Sequence, residues 1–447
     1  MVKKEKNYNQ ILPKISISKG GITPTPTGGS FKYLGRIFDF DMKGEIEKHE
    51  LVAKLSNLLK ITTDLNIRPQ MKLKIFDSYI VSQISFSLRV CNFTSTWVAE
   101  SLDALCIQHI RKWIEAPISS CVSEWLISPK GRCGMGIPSL KNRFERLTLS
   151  KRASLKNSPN ENIKDLWKES NNKNVNADSL LLQNDKNKAA KILSRQQEDT
   201  AANHVSELPY QGKVTKTVLE NCSEDMILNW SSTINSLPGF LFNFVRKAMQ
   251  LQLPTLANLM RWGRGSSNLC TLCNSIQTNK HVLSNCNHPD VLKRYTTRHN
   301  KILELLAHWF TDNVNKDTSV YVDLPCSSFK QTIDLFTTYR PDIVLVRNNK
   351  ALVIELTVCH ETNLNTSRDY KRGKYKDIAK YKTVLIKDHG VFLSTLEITT
   401  LGFLQINETE LKYFIPTKFN KNFISTLIKS AVQSSFDIYF HRDVPDV

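Results

Sequence analysis

The sequence predicts a multidomain chain of α and α/β parts, and three observations carry that expectation. The N-terminal third spaces its apolar residues at helical intervals, a compact Cys/His group lies past the middle, and the final third mixes helical stretches with short β-branched runs. At 447 residues the chain can hold two or three sizeable cores. Its 61 Lys and Arg against 42 Asp and Glu leave a net charge of +19, which favours an anionic partner such as nucleic acid over a small-molecule substrate. Ten cysteines are scattered apart from one cluster, so there is no secretory disulfide framework. MVKKEKNYNQ is followed by no apolar h-region and no run approaches a membrane span. Together these features point to a reducing, intracellular setting without a membrane partner.

Residues 1–30, with ITPTPTGGS, read as an extended lead-in. Residues 31–156 then read as a helical bundle. Ile46, Val52, Leu55 and Leu59 are at helical spacing in the first helix. The second offers Met71, Ile75, Tyr79 and Ser82, or Ile80 and Ile84, and the third offers Val98, Leu102, Leu105, Cys106 and Trp113. Residues 157–225 are rich in Asn, Lys and Ser and read as a polar linker or insertion, with short helices at SLLLQ and AAKILSRQ. Residues 226–262 form a helical connector divided at Pro254, whose Phe, Leu and Trp are expected to pack against the Cys/His segment or the N-terminal helical bundle. In 291–310 a helix places Ile302, Leu305, Leu306 and Trp309 on one side, with the polar Arg298, His299 and Asn300 near its middle. GVFLSTLEITT reads as a strand and 419–436 as a closing helix, which makes 290–447 a sheet layered with helices.

Two motifs within this frame carry chemistry. In 263–289, Cys270 and Cys273 are two residues apart, seven residues then precede His281, and four more precede Cys286. That is zinc-ligand spacing: a tight turn brings the first two thiolates onto one ion and the second pair closes a tetrahedron. His288 could replace one ligand. A closed four-ligand site implies a structural Zn²⁺.

The second motif is YRPDIVLVRNNKALVIELTV, two runs of strand formers joined by an Asn-rich turn. If Asn348 and Asn349 form a two-residue loop, Val346 faces Ala351, Val344 faces Val353, and Asp342 faces Glu355. Opposed like charges repel, so a cation belongs between them. Mg²⁺, a hard ion that takes one or two carboxylates, is the simplest candidate, and the alternative is a slipped register or an exposed edge with both acids solvated. The following stretch, SRDYKRGKYKDIAKYK (367–382), reads as a helix with Ser367 as N-cap, and its seven Lys/Arg against two Asp suit a phosphate backbone.

The set Arg340-Pro341-Asp342, Glu355-Leu356-Thr357, Lys371 and Lys374-Tyr375 resembles the restriction-like endonuclease at the C-terminus of site-specific non-LTR (LINE-type) retrotransposon polyproteins, within the PD-(D/E)xK nuclease superfamily. The resemblance implies that Asp342 and Glu355 bind catalytic Mg²⁺, with Mn²⁺ a substitute. It also implies that a lysine acts on the scissile phosphate. The superfamily usually places that lysine two residues after the second acid, where this chain has Thr357. In the retrotransposon branch it comes from the next helix, which makes Lys371 the candidate and Lys374 the alternative.

The same polyproteins carry a Cys-Cys-His-Cys knuckle immediately before the nuclease, as here, and nucleases of this superfamily often place an acid on their first helix, where Glu304 is the candidate. Phe31-Lys32-Tyr33-Leu34-Gly35, three helices and then Gly134 to Leu140 are similar to the end of the reverse transcriptase core and its thumb. Arg111, Lys112 and Lys141 would then be thumb contacts to phosphate. Arg340, Arg372, Tyr375 and Lys376 are the corresponding candidates in the nuclease. The implied partners are a DNA target and the element's RNA, and the nucleus is the implied location. The sequence has no Asp-Asp dipeptide for a polymerase palm, so it reads as the C-terminal portion of a longer polyprotein, from a truncated copy or a partial gene model. The competing reading is a catalytically inactive nucleic-acid-binding remnant.

Overall fold

The computed structural model describes residues 15–17, 20–22, 29–39, 44–170, 177–325, 328–336, 339–378, 390–406 and 408–443. The chain divides into two compact units, one of residues 1–114 and 137–199, the other of residues 115–136 and 200–447. This division cuts across the expected borders, because 115–136 groups with the C-terminal residues. Most of the expected lead-in lies outside the described residues, and Ile15–Ile17 with Gly20–Ile22 form a short antiparallel pair.

The first unit is helical apart from its strand pairs. Glu45–Asp64 buries Leu51, Leu55 and Leu59, while Ile46 is exposed. The helix from Pro69 to Val90 contains a π turn at Phe76–Ile80. Its core side is Leu73, Phe76, Ile80, Ile84 and Leu88, whereas Met71 and Tyr79 face solvent. A π turn takes up an extra residue and shifts the phase of the 3.6-residue period, so the Ile80/Ile84 stripe is the buried one. A second π turn at Val98–Asp103 lies within the helix from Ser95 to Trp113, where Val98, Leu102, Cys106, Ile110 and Trp113 are buried.

The stretch expected as a polar linker is largely helical where described, with Glu161–Glu169, Ala177–Gln183 and Lys186–Glu207. Composition understated its apolar contacts. Ala177, Leu181 and Ala189 pack on Leu149 and Ala153, and the buried Arg152 pairs with Asp178.

In the second unit, helices α1 (Glu224–Ser236) and α2 (Gly239–Met249) form the connector. The connector packs on the C-terminal elements. Trp230 stacks on Phe403 at 4.3 Å and donates its indole N–H to the Leu401 carbonyl at 2.7 Å, while Phe240 and Phe244 meet Phe436. The long helix α3 (Pro289–Asn313) buries Ile302, Leu303, Leu306, Trp309 and Phe310.

A six-stranded mixed sheet follows, built from β1 (Ser319–Val322), β2 (Lys330–Gln331), β3 (Ile343–Arg347), β4 (Lys350–Cys359), β5 (Val391–Thr399) and β6 (Leu404–Ile406), in the order β6-β5-β4-β3-β1-β2. β4 pairs with β5 and β1 with β2 in parallel, and the other neighbours are antiparallel. The central β3 and β4 are nearly continuous apolar runs, as strands covered on both faces require. Helix α4 (Leu364–Lys374) crosses toward β5, and α5 (Lys421–Phe440) closes the unit.

Helix α4 begins earlier than the sequence suggested. Glu361 is buried and accepts hydrogen bonds from Thr400 Oγ1 and the Leu401 N–H, which pins the preceding 3₁₀ turn Glu361–Asn363. Ser367 therefore lies inside the helix and is not its N-cap. Residues 379–382 of the expected helix lie outside the described residues.

Candidate functional site

The hairpin between β3 and β4 has the register expected from its turn. Asn348 and Asn349 take φ of 49° and 61°, the left-handed conformation that a tight two-residue hairpin loop needs and Asn tolerates. Val346 pairs with Ala351, Val344 with Val353 and Ile343 with Ile354. One step further, Asp342 and Glu355 interlock: Glu355 Oε1 accepts the Asp342 N–H at 3.1 Å, and Asp342 Oδ2 accepts the Leu356 N–H at 2.8 Å. Both acids are buried, Glu355 almost completely at 1% exposure, so the alternative of a solvated edge does not describe this structure.

Lys371, on α4, extends its ammonium to 2.6 Å from Glu355 Oε2 and 3.6 Å from Asp342 Oδ2. Lys374, one turn further on, is exposed, and its ammonium lies 4.8 Å from the Tyr375 ring centre. The structure therefore brings Lys371, and not Lys374, to the two acids. Thr357 is half-buried and its Oγ1 has no hydrogen-bond partner among the described residues.

His299, one of the polar residues near the middle of α3, places its Nε2 3.4 Å from Asp342 Oδ1. The usable signal was its spacing, since His299, Ile302, Leu303 and Leu306 share the apolar side of α3. Glu304, the candidate acid on that helix, is exposed.

The electrostatics of the pair are those of two carboxylates in one cavity. Burial and then the charge of Asp342 push Glu355 up to about 7, against the pull of Lys371. Burial also acts to raise Asp342, but His299 and Lys371 outweigh it and hold the carboxyl below its ordinary value. For Lys371, burial favours the neutral amine, and the two acids outweigh it and hold the ammonium above its usual value. His299 likewise is lowered by burial and raised more by Asp342. Two carboxylates held side by side offer the hard oxygen donors that a divalent cation takes.

Of the expected nucleic-acid contacts, Arg340, Arg372 and Lys376 are exposed around this site. Tyr375 corrects the expectation. It is 1% exposed, belongs to the core with Val344, Val353 and Ile378, and donates its hydroxyl to the Arg340 carbonyl at 3.0 Å. It lies just past the end of α4 and packs on the sheet, so it supports the Arg340-Pro341-Asp342 segment. In the first unit, Lys112 and Lys141 are exposed and Arg111 is half-buried.

The Cys/His group is equally well formed. Ligand atoms of Cys270, Cys273, His281 and Cys286 all lie within 4.8 Å of one another. Cys273 Sγ is 3.7 Å from Cys286 Sγ and 3.4 Å from His281 Nε2. Tetrahedral zinc with Zn–S bonds of about 2.3 Å places its sulfurs about 3.8 Å apart, so these residues can hold a zinc ion. Burial keeps His281 below its ordinary pKa, in the neutral form that ligates. Asn274, at φ 58°, makes the turn, and the Tyr295 hydroxyl accepts the Cys286 N–H and donates to the His281 and Val282 carbonyls. His288 lies apart, 3.7 Å from Asp290, and is not a member of the cluster.

A mixed sheet with two interlocked acids and a helix-borne lysine, preceded by a Cys₃His cluster that could hold a metal ion, fits a multidomain chain of α and α/β parts. No protein-family model matches it. Over 414 residues it is 21% identical to the Retrovirus-related Pol polyprotein from type-1 retrotransposable element R2 of Bradysia coprophila, a match covering 87% of this chain and 43% of that protein. The chain thus spans less than half the length of the relative it matches. This distant likeness supports an origin in a non-LTR retrotransposon polyprotein. No helix among the described residues is long and apolar enough to cross a membrane.

Proposed function

We propose that the chain carries the target-nicking part of a retrotransposon protein, a Mg²⁺-dependent DNA endonuclease whose Cys₃His loop and thumb-like helices bind nucleic acid. The observation that carries this reading is the convergence of Lys371 on Asp342 and Glu355 from a separate helix. Asp342 and Glu355 would hold the cation. When bound, it polarises the phosphoryl group and supplies water of lowered pKa. Lys371 gives up its contact with Glu355 to stabilise charge that grows on the phosphate in the transition state. His299 holds Asp342 Oδ1, and the Leu356 N–H holds Oδ2, so the carboxylate is oriented before substrate arrives. Arg340, Arg372, Lys374 and Lys376 bind the phosphate backbone as exposed cations. The product 3′-hydroxyl would prime reverse transcription.

The test is nicking of supercoiled plasmid by the purified chain with Mg²⁺ and with EDTA. Mg²⁺-dependent nicking supports the proposal, and plasmid binding without nicking favours the inactive-remnant reading.

A further inference from the structure

Beside the acid pair lies a second polar group that the proposed reaction leaves unused. Glu397 on β5 and Gln405 on β6 are directly opposed in the antiparallel register, and Thr357 on β4 is the parallel partner of Glu397. Glu397 is 1% exposed, and its Oε1 has no hydrogen-bond partner among the described residues. From α4, Arg368 places its Nε 3.5 Å from Glu397 Oε2 and donates through Nη2 to Gln405 Oε1. Two of the three guanidinium nitrogens are thereby fixed by two adjacent strands. The third, Nη1, has no hydrogen-bond partner among the described residues, and the side chain stays 19% exposed.

Arg368 precedes Lys371 by three residues, so the two cations lie on one side of α4 with Cβ atoms about 5–6 Å apart. Burying a carboxylate to hold one arginine is costly, and replacing such pairs by apolar residues is often neutral or stabilising. What the arrangement supplies is a guanidinium fork held in one orientation beside the catalytic lysine, with a free edge. A planar fork of this kind matches the oxygens of a phosphodiester.

We propose that Arg368, locked by Glu397 and Gln405, is a phosphate clamp that grips the DNA strand at a phosphodiester neighbouring the one Lys371 serves. The proposal rests on the nuclease reading above and assigns a binding residue within it. Arg368 acts on affinity, Lys371 acts on rate, and Glu397 is a positioning residue for the clamp.

The experiment measures binding of a fluorescein-labelled DNA duplex to the full chain by anisotropy across a salt series with Ca²⁺ present. Single-turnover nicking with Mg²⁺ and thermal melting are measured alongside. Arg368→Ala should weaken binding roughly tenfold and lower the slope of log affinity against log salt by about one. Its rate at saturating DNA should stay within about threefold of wild type. Arg368→Lys should keep the slope and lose part of the affinity, because a point charge lacks the fork. Glu397→Gln should weaken binding by a smaller factor with the slope unchanged. A wild-type affinity and slope in Arg368→Ala, with only the melting temperature lowered, would overturn the clamp and leave a structural ion pair. If Arg368→Ala does not fold, Arg368→Lys decides, since wild-type affinity in that variant is equally fatal. The salt slope reads the clamp and nicking reads the reaction, so failure of one is distinguishable from failure of the other.

Discussion

The Cys/His cluster draws all four ligand atoms from one short loop, whereas Asp342, Glu355 and Lys371 come from the two ends of a hairpin and from a separate helix. The first arrangement is closed, soft and complete, and suits an ion that holds a fold together. The second is hard and partly committed to backbone N–H groups, with a lysine ammonium against both acids. A local site depends on the loop that contains it, and a site assembled from distant elements depends on the packing of the whole sheet. Removing one residue should therefore have different consequences in the two places.

The largest expected effect is at the acid pair. Asp342→Ala should abolish nicking, a loss of about a thousandfold or more, while DNA affinity stays near wild type because phosphate contacts dominate binding. Unchanged cleavage in that variant would remove the acid pair from the reaction. At the Cys/His cluster, Cys273→Ser should reduce bound zinc from one ion per chain to nearly none and expose the Cys270–Cys286 loop to proteolysis, since ligand binding supplies that loop's folding energy. A wild-type chain purified without zinc would contradict the closed-site reading.

The two sites also differed in how much of them could be read in the sequence. Cysteine spacing is a local property, and all four ligands followed from it because the turn at Asn274 needs only neighbouring residues. The hairpin register was equally legible, since two Asn residues fix it. Lys371 could be narrowed only by resemblance, because helix phase over 367–382 left Lys374 open. The start of α4 depends on Glu361 meeting Thr400 and Leu401, a contact that no local pattern announces. The burial of Tyr375 is a tertiary fact of the same kind, whereas His299 carries a local signal in its spacing with Ile302, Leu303 and Leu306. In the first unit, π turns displaced the apolar stripe from Met71 and Tyr79 to Ile80 and Ile84. In the polar linker, a few small apolar contacts and the Arg152–Asp178 pair outweighed an Asn-rich composition.

Two smaller effects sharpen the contrast. Thr357→Ala should change the nicking rate by less than about threefold, because the Thr357 hydroxyl has no hydrogen-bond partner among the described residues. A loss of a hundredfold would return the usual lysine position to the reaction. Trp230→Phe keeps the stack on Phe403 but removes the hydrogen bond to Leu401, and should cost about 1–3 kcal/mol by leaving a buried carbonyl unpaired. Chemical denaturation would read this, with zinc content unchanged.

The central claim is that α4 supplies the catalytic cation to two acids held by the hairpin. Single-turnover nicking at saturating DNA tests it most directly, comparing wild type, Lys371→Ala and Lys374→Ala. The account predicts a loss of about 10²–10³-fold for Lys371→Ala and a change within about threefold for Lys374→Ala, whose defect should appear only as weaker, more salt-sensitive binding. A wild-type rate in Lys371→Ala, or the large loss in Lys374→Ala instead, would contradict it.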